Sequence, residues 1–196
     1  LVDESIGKIL AQLEEQNMLD NTMIVYSSDH GEMLGDHGLM AKFSFYSSSV
    51  QIPLIVRPPG GCSGKVSDAL VELVDVGPTL LEAAGAEGLA NSQGRSVLPF
   101  TVDATAASAV GREYLFSEIM QQTRSKEGPT FRALRDARYR MTLETTTQTP
   151  CEFYDLQEDP HESHNLLCDS ATTRSKYAKQ IEAMTQAIAQ RTLNQV

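Results

Sequence analysis

The segment Thr22–Ser28 constrains the fold more than any other: Thr-Met-Ile-Val-Tyr-Ser-Ser is a short, nearly continuous run of β-branched and apolar residues. Such a run reads as a strand covered on both faces, the pattern of an interior strand in a parallel sheet. Upstream, Ile6, Ile9, Leu10 and Leu13 recur at three- and four-residue steps, with Glu4, Lys8, Glu14 and Glu15 on the other side. Residues 3–16 are therefore expected to form an amphipathic helix, broken at Asn17 and Asp20-Asn21. Downstream, Asp29 to Ser49 is polar and contains glycine, which reads as a loop. Gln51–Val56 is a second strand, with Pro53 near its start where a missing N–H is tolerated. Pro58-Pro59-Gly60-Gly61 stops it. Val66–Val74 holds a further strand candidate. Asp75 stands where an N-cap would open a helix over Val76–Ala84, ended by Gly85.

Helix, strand, loop and strand in this order imply an α/β layer. The texture then changes. Residues 91–112 are rich in Ser, Ala, Thr and Gly and read as a connection. Beyond it Tyr114–Ile119, Thr130–Arg135, Tyr139–Glu144 and Cys151–Leu156 are strand candidates separated by turns. Ser175–Arg191 is a helix built on Tyr177, Ile181, Met184 and Ile188. Strands in close succession followed by one helix imply a small antiparallel sheet with that helix packed on it. The expected organisation is an α/β part over residues 1–100, a connecting loop over 101–112 and a small α+β subdomain over 113–196.

Composition narrows the class of partner. Twenty-six acidic against 16 basic residues give a formal charge of −10, which disfavours non-specific attraction to nucleic acid or to an anionic membrane surface. No run of about 18 apolar residues is present to cross a membrane as a helix. An anionic small molecule remains compatible, because a cation or a lysine can make a site locally positive. Cys62, Cys151 and Cys168 are widely spaced, match no zinc pattern and read as ordinary thiols, with one disulfide pair left open. Leu1–Gly7 has no initiator Met, basic start or cleavage site. A fragment of a longer protein is expected, with localisation open between periplasmic, secreted and cytoplasmic. Its truncated sheet would expose apolar surface and a strand edge, so a homo-oligomer is an expected state.

The densest group of chemically capable residues is Ser28-Asp29-His30-Gly31-Glu32-Met33-Leu34-Gly35-Asp36-His37-Gly38, continuing to Lys42. Asp29 and His30 follow the C-terminal end of the first expected strand, where open α/β sheets place their ligand sites. A carboxylate oxygen beside an imidazole nitrogen suits a divalent cation. On spacing alone an Asp-His pair is more often a helix cap or turn former than a metal site, and a lone lysine such as Lys42 is more often solvated. On the same residues Glu32 and Asp36 read as solvated loop charges, and His37 as a loop hydrogen-bonder or a second-layer group. Gly31 and Gly35 allow tight turns and close backbone approach.

Taken together, these residues resemble the Ser-Asp-His-Gly-Glu…Gly-Asp-His-Gly segment of sulfatases in the alkaline phosphatase superfamily. Lys42 stands thirteen residues past Asp29, the family's usual interval between its metal aspartate and its sulfate-contacting lysine. The resemblance extends through Ile52–Gly60 and Leu73–Leu81. It also covers Glu152–Glu162 with Asn165-Leu166, which is similar to the family's C-terminal Leu-Tyr-Asp-Leu…Asp-Pro-x-Glu…Asn-Leu signature. The fold it implies is the C-terminal part of an alkaline phosphatase-like α/β sandwich.

The resemblance implies that Asp29 and His30 supply two ligands to a Ca²⁺ ion and that Lys42 binds a sulfate oxygen of a sulfate ester substrate. The implied nucleophile is a formylglycine made within a Cys/Ser-x-Pro/Ala-x-Arg motif. Cys62, Cys151 and Cys168 all lie outside such a motif, so this chain alone is expected to be inactive. Two further readings stay open at this stage. One is a phosphomonoester, phosphodiester or phosphonate hydrolase of the same superfamily. The other is a non-catalytic binding module that keeps the fold.

Overall fold

In a computed structural model the described residues are 1–61, 64–102, 111–120 and 130–193, so Cys62 lies outside them. They group into two compact units, one formed by residues 1–29 and 53–111, the other by residues 30–52 and 112–196.

The first unit opens with helix α1 (Val2–Glu15), as the apolar spacing requires. Strands β1 (Ile24–Ser27) and β2 (Leu54–Arg57) follow, but they pair antiparallel, with Tyr26 opposite Ile55. Tyr26 and Ile55 are both exposed in this chain. The apolar run alone pointed to a parallel neighbour; periodicity reports which faces are greasy and says nothing of the partner's direction.

No strand forms over residues 64–72. A single 3-10 turn at Leu73–Asp75 leads into α3 (Val76–Ala83), after the one-turn α2 (Ser47–Val50) of the other unit. Asp75 stands at the N-cap position of α3, as expected, but its side chain makes no cap hydrogen bond. It is buried and accepts from the Glu72 amide at 2.8 Å and the Arg95 amide at 2.7 Å. Thr79 extends this seam: its hydroxyl donates to the Asp75 carbonyl at 2.6 Å and accepts from the Val97 amide at 2.9 Å. The carboxylate thus ties α3 to the segment that enters α4 (Leu98–Val102). Gly85 ends α3 region with φ +64°, the left-handed stop expected of it.

The second unit is built on a four-stranded antiparallel meander, β3 (Leu115–Met120), β4 (Thr130–Arg135), β5 (Tyr139–Glu144) and β6 (Thr149–Asp155). Its boundaries follow the sequence pattern closely. The terminal helical segment is divided into α5 (Ala171–Lys176) and α6 (Ala178–Leu193), with Tyr177 at the break. Tyr177, Met184 and Ile188 pack with Leu134, Met141, Leu143 and Phe153 in one core cluster. Full burial of each large apolar side chain contributes roughly 1.5–3 kcal/mol.

Strand β5 is covered on both faces. Met141 and Leu143 face the helix-side core, while the alternate residues Arg140 and Thr142 are equally buried. Buried polar groups need partners. Arg140 finds Glu162 through Nε, and Glu152 and the Thr142 hydroxyl through Nη1, both at 2.8 Å. Burial works against the charged guanidinium, but the facing Glu162 and Glu152 more than offset it and hold its pKa above the ordinary value. Asn165 fastens β6: its amide donates to the Cys151 carbonyl at 2.9 Å and its oxygen accepts from the Phe153 amide at 3.1 Å. Cys151 and Cys168 are exposed free thiols.

At the end of β6, Arg138 grips Asp155 through Nε at 2.9 Å and Nη2 at 2.7 Å. These charge-assisted hydrogen bonds hold the Asp155 carboxyl below the ordinary carboxylate range. A carboxyl whose folded pKa is depressed stabilises the fold above its unfolded value, about 3.9, and loses that contribution as pH falls through the folded value. Asp155→Asn should therefore lower stability at neutral pH and flatten the acid limb below about pH 4. Urea denaturation from pH 7 to pH 2.5 measures this; an unchanged acid limb would remove Asp155 from the account.

Candidate functional site

Asp29 comes two residues and His30 three residues after β1 ends. Asp29 is exposed and His30 half-buried. The His30 Nδ1 lies 2.7 Å from the Gly31 carbonyl. A carbonyl only accepts, so Nδ1 donates this bond, and in a neutral imidazole of that tautomer the lone pair is at Nε2. That is the form of imidazole that ligates a metal.

The chain then turns back on itself. Met33, buried, donates its amide to the Ala41 carbonyl at 2.8 Å, and the Gly35 amide reaches the Leu39 carbonyl at 2.9 Å. Leu34, His37 and Ala41 adopt positive φ beside Gly35 and Gly38. Non-glycine residues visit this region at a cost, so a fixed loop path over-determines them. His37 stacks flat on the Tyr46 ring, with centroids 3.7 Å apart and planes 9° apart. Asp36 accepts from the Ser48 hydroxyl. Both are therefore loop-holding groups, and Asp36 is more than the solvated charge its sequence context implied.

Lys42 follows with an exposed side chain and an anchored backbone. Its carbonyl accepts from the buried Ser49 hydroxyl at 2.5 Å and from the Ser44 amide at 2.9 Å. Ser49 also holds the other end of the segment, because its own carbonyl accepts from the Gly31 amide at 2.7 Å. One residue of α2 thus ties together the backbone next to His30 and the backbone of Lys42. Gly31 is needed for this approach. A Cβ added there would stand 2.1 Å from the Ser48 carbonyl oxygen, a contact only displacement of backbone relieves.

The residues that shape this segment from outside it are Arg140, Tyr154 and Glu162, together with Tyr46 and Ser49 within it. Sequence reading missed their role. The Asp-Pro-x-Glu stretch marked Glu162 as part of a pattern, but nothing local to Arg140 signals a buried arginine in a strand. Among the described residues no three His, Cys, Asp or Glu side chains converge to hold a metal, and no helix is long and apolar enough to cross a membrane.

Residues 35–191 match the family described as N-sulphoglucosamine sulphohydrolase, C-terminal. The multifunctional alkaline phosphatase superfamily protein PehA of Trinickia caryophylli is 32% identical over 181 residues, covering 87% of this chain and 35% of that protein. The structure of BT4656 in complex with its substrate D-glucosamine-2-N,6-O-disulfate superposes with a TM-score of 0.85 at 30% identity. It covers 98% of this chain and 38% of the other. A phosphonate monoester hydrolase from Silicibacter pomeroyi superposes with a TM-score of 0.83 at 31% identity, over 100% of this chain and 39% of that one. The chain spans about a third of the length of the curated relatives it matches, and several of these are sulfatases.

The close approach at Gly31 makes a direct test of the loop geometry. Gly31→Ala should cost about 1–3 kcal/mol, the usual range for overpacking a tight contact. Thermal and urea unfolding of this chain measures it, and a variant as stable as the parent would show that Gly31 and Ser48 are not held this closely.

Proposed function

Because this chain belongs to the C-terminal N-sulphoglucosamine sulphohydrolase family, among the sulfatases of the alkaline phosphatase superfamily, we propose that the full-length protein hydrolyses sulfate monoesters with a bound divalent cation. The substrate class that best fits is a sulfated sugar, by analogy with BT4656 and its glucosamine disulfate. The observation that carries the reading is the double anchor at Ser49, which fixes the main chain beside His30 and at Lys42 from one residue.

In this proposal Asp29 offers a carboxylate oxygen and His30 its Nε2 to the cation, Ca²⁺ by the resemblance to the family. The donor pair fits part of a divalent-cation site: Asp29 offers one of the 6–8 oxygens that Ca²⁺ takes, and His30 adds an imidazole nitrogen, a donor that transition-metal cations favour. The cation supplies Lewis acidity and neutralises charge on the sulfuryl oxygens. Lys42 places an ammonium on a sulfate oxygen and stabilises the charge of the transition state without occupying a metal position. The nucleophile, a formylglycine by the same resemblance, comes from outside this chain, which is inactive by itself.

A second reading is favoured by the likeness to the phosphonate monoester hydrolase: cleavage of phosphonate or phosphate esters by the same ligands. Parallel assays of full-length protein on sulfate, phosphonate and phosphodiester esters separate the two.

In full-length protein Lys42→Ala should lower turnover of sulfate esters about 10²–10³-fold, as loss of one well-placed charge donor does, with metal content unchanged. Asp29→Ala should lose both metal and activity. Full activity of the Lys42 variant would make it a surface lysine, and preference of wild type for phosphonates would replace the substrate.

A further inference from the structure

The loop that carries Lys42 rests on a buried arginine that no part of the proposed chemistry uses. Arg140 is 2% exposed and sits in the middle of the sheet. Its guanidinium lies 5.1 Å from the Tyr46 ring centroid and 4.6 Å from that of Tyr154. Such contacts are worth more when desolvated, as here. Glu162, also 2% exposed, accepts from Arg140 Nε through one carboxylate oxygen and from the Ser47 amide through the other, at 2.6 Å. Glu162 itself has φ +53°, a backbone conformation held only because its surroundings fix it.

These contacts form a continuous path. The Glu162 carboxylate fixes the first amide of α2; two residues on, Ser49 fixes the Lys42 carbonyl by its hydroxyl and the Gly31 amide by its carbonyl. In parallel, Arg140 lies against Tyr46, and Tyr46 carries the stacked His37 ring. Both ends of the loop are thereby referred to one carboxylate on the C-terminal subdomain. We propose that Glu162, acting with Arg140 through the single turn Ser47–Val50, is the positioning residue that sets Lys42 and the backbone beside His30 for catalysis. The C-terminal signature then acts on the active site through Glu162 and the single turn Ser47–Val50. The proposal rests on the reading of Lys42 as the sulfate contact.

A purely structural Glu162 would affect how much protein folds and not how well each folded molecule turns over. Glu162→Gln keeps the volume and removes the charge. Ser49→Ala leaves the ion pair intact and removes only the hydroxyl bond to Lys42, so it folds even if the first variant does not. In full-length protein three quantities are read: kcat and KM per folded molecule for a sulfate ester, bound metal, and amide hydrogen exchange over residues 40–50. Both variants should show faster exchange across residues 40–50 and a kcat lowered by about 10²-fold, the scale of a misplacement of roughly 1 Å. KM and metal content should change far less. Wild-type kcat per folded molecule in Ser49→Ala, alongside an inactive Lys42→Ala, would overturn the proposal. Unchanged exchange in both variants would overturn it as well. If instead exchange rises in both and Lys42→Ala is fully active, the positioning path stands and the sulfate reading of Lys42 falls.

Discussion

A charged pair with both partners 2% exposed, Arg140 and Glu162, organises the C-terminal unit. Burying two charges is costly, and their attraction repays the cost only when the remaining donors and acceptors are also satisfied. Here Glu152, Thr142 and the Ser47 amide supply partners, while Arg140 Nη2 has no hydrogen-bond partner and the guanidinium lies against two tyrosine rings. Removing one partner from such a pair typically costs about 3–5 kcal/mol, because an uncompensated charge is left inside. An apolar pair could fill the same volume at no loss of stability. What it could not do is hold a backbone amide of a different segment at a fixed place, and that is what Glu162 does for Ser47.

The sheet therefore has two distinct faces with different physical characters. One is an apolar core against α6, non-directional and tolerant of repacking. The other is a polar, hydrogen-bonded face through Arg140 and Thr142, directional and intolerant of misplacement. The segment that carries His30, His37 and Lys42 is fastened to the second face. Directional contacts suit a loop proposed to place an exposed lysine, since a side chain that long gains precision only from a fixed backbone.

Much of this fold was legible in the sequence because its determinants are local. The strand limits Thr130–Arg135 and Tyr139–Glu144 and the helix over Val2–Glu15 follow from period-two and period-3.6 spacing. What failed depended on distant partners. Asp75 stands at the N-cap of α3 as read, but its carboxylate accepts from the Arg95 amide, twenty residues away, instead of capping the helix. The run at Thr22–Ser28 announced a strand but not its antiparallel partner. Asp29, His30 and Lys42 were singled out by residue type and by resemblance. The anchoring roles of Ser49, Arg140 and Glu162 in the loop that leads to Lys42 were not read: Glu162 entered only as part of the C-terminal signature, and serine and arginine are ordinary surface residues until tertiary contacts bury them.

The most direct measurement is a crystal structure of the full-length protein with a sulfate ester or sulfate bound. The account predicts a divalent cation with Asp29 and His30 among its ligands, Lys42 Nζ within hydrogen-bond distance of a sulfate oxygen, and the Ser49 and Glu162 contacts intact. A sulfate group bound away from Lys42, with Asp29 and His30 not coordinating a cation, would contradict it.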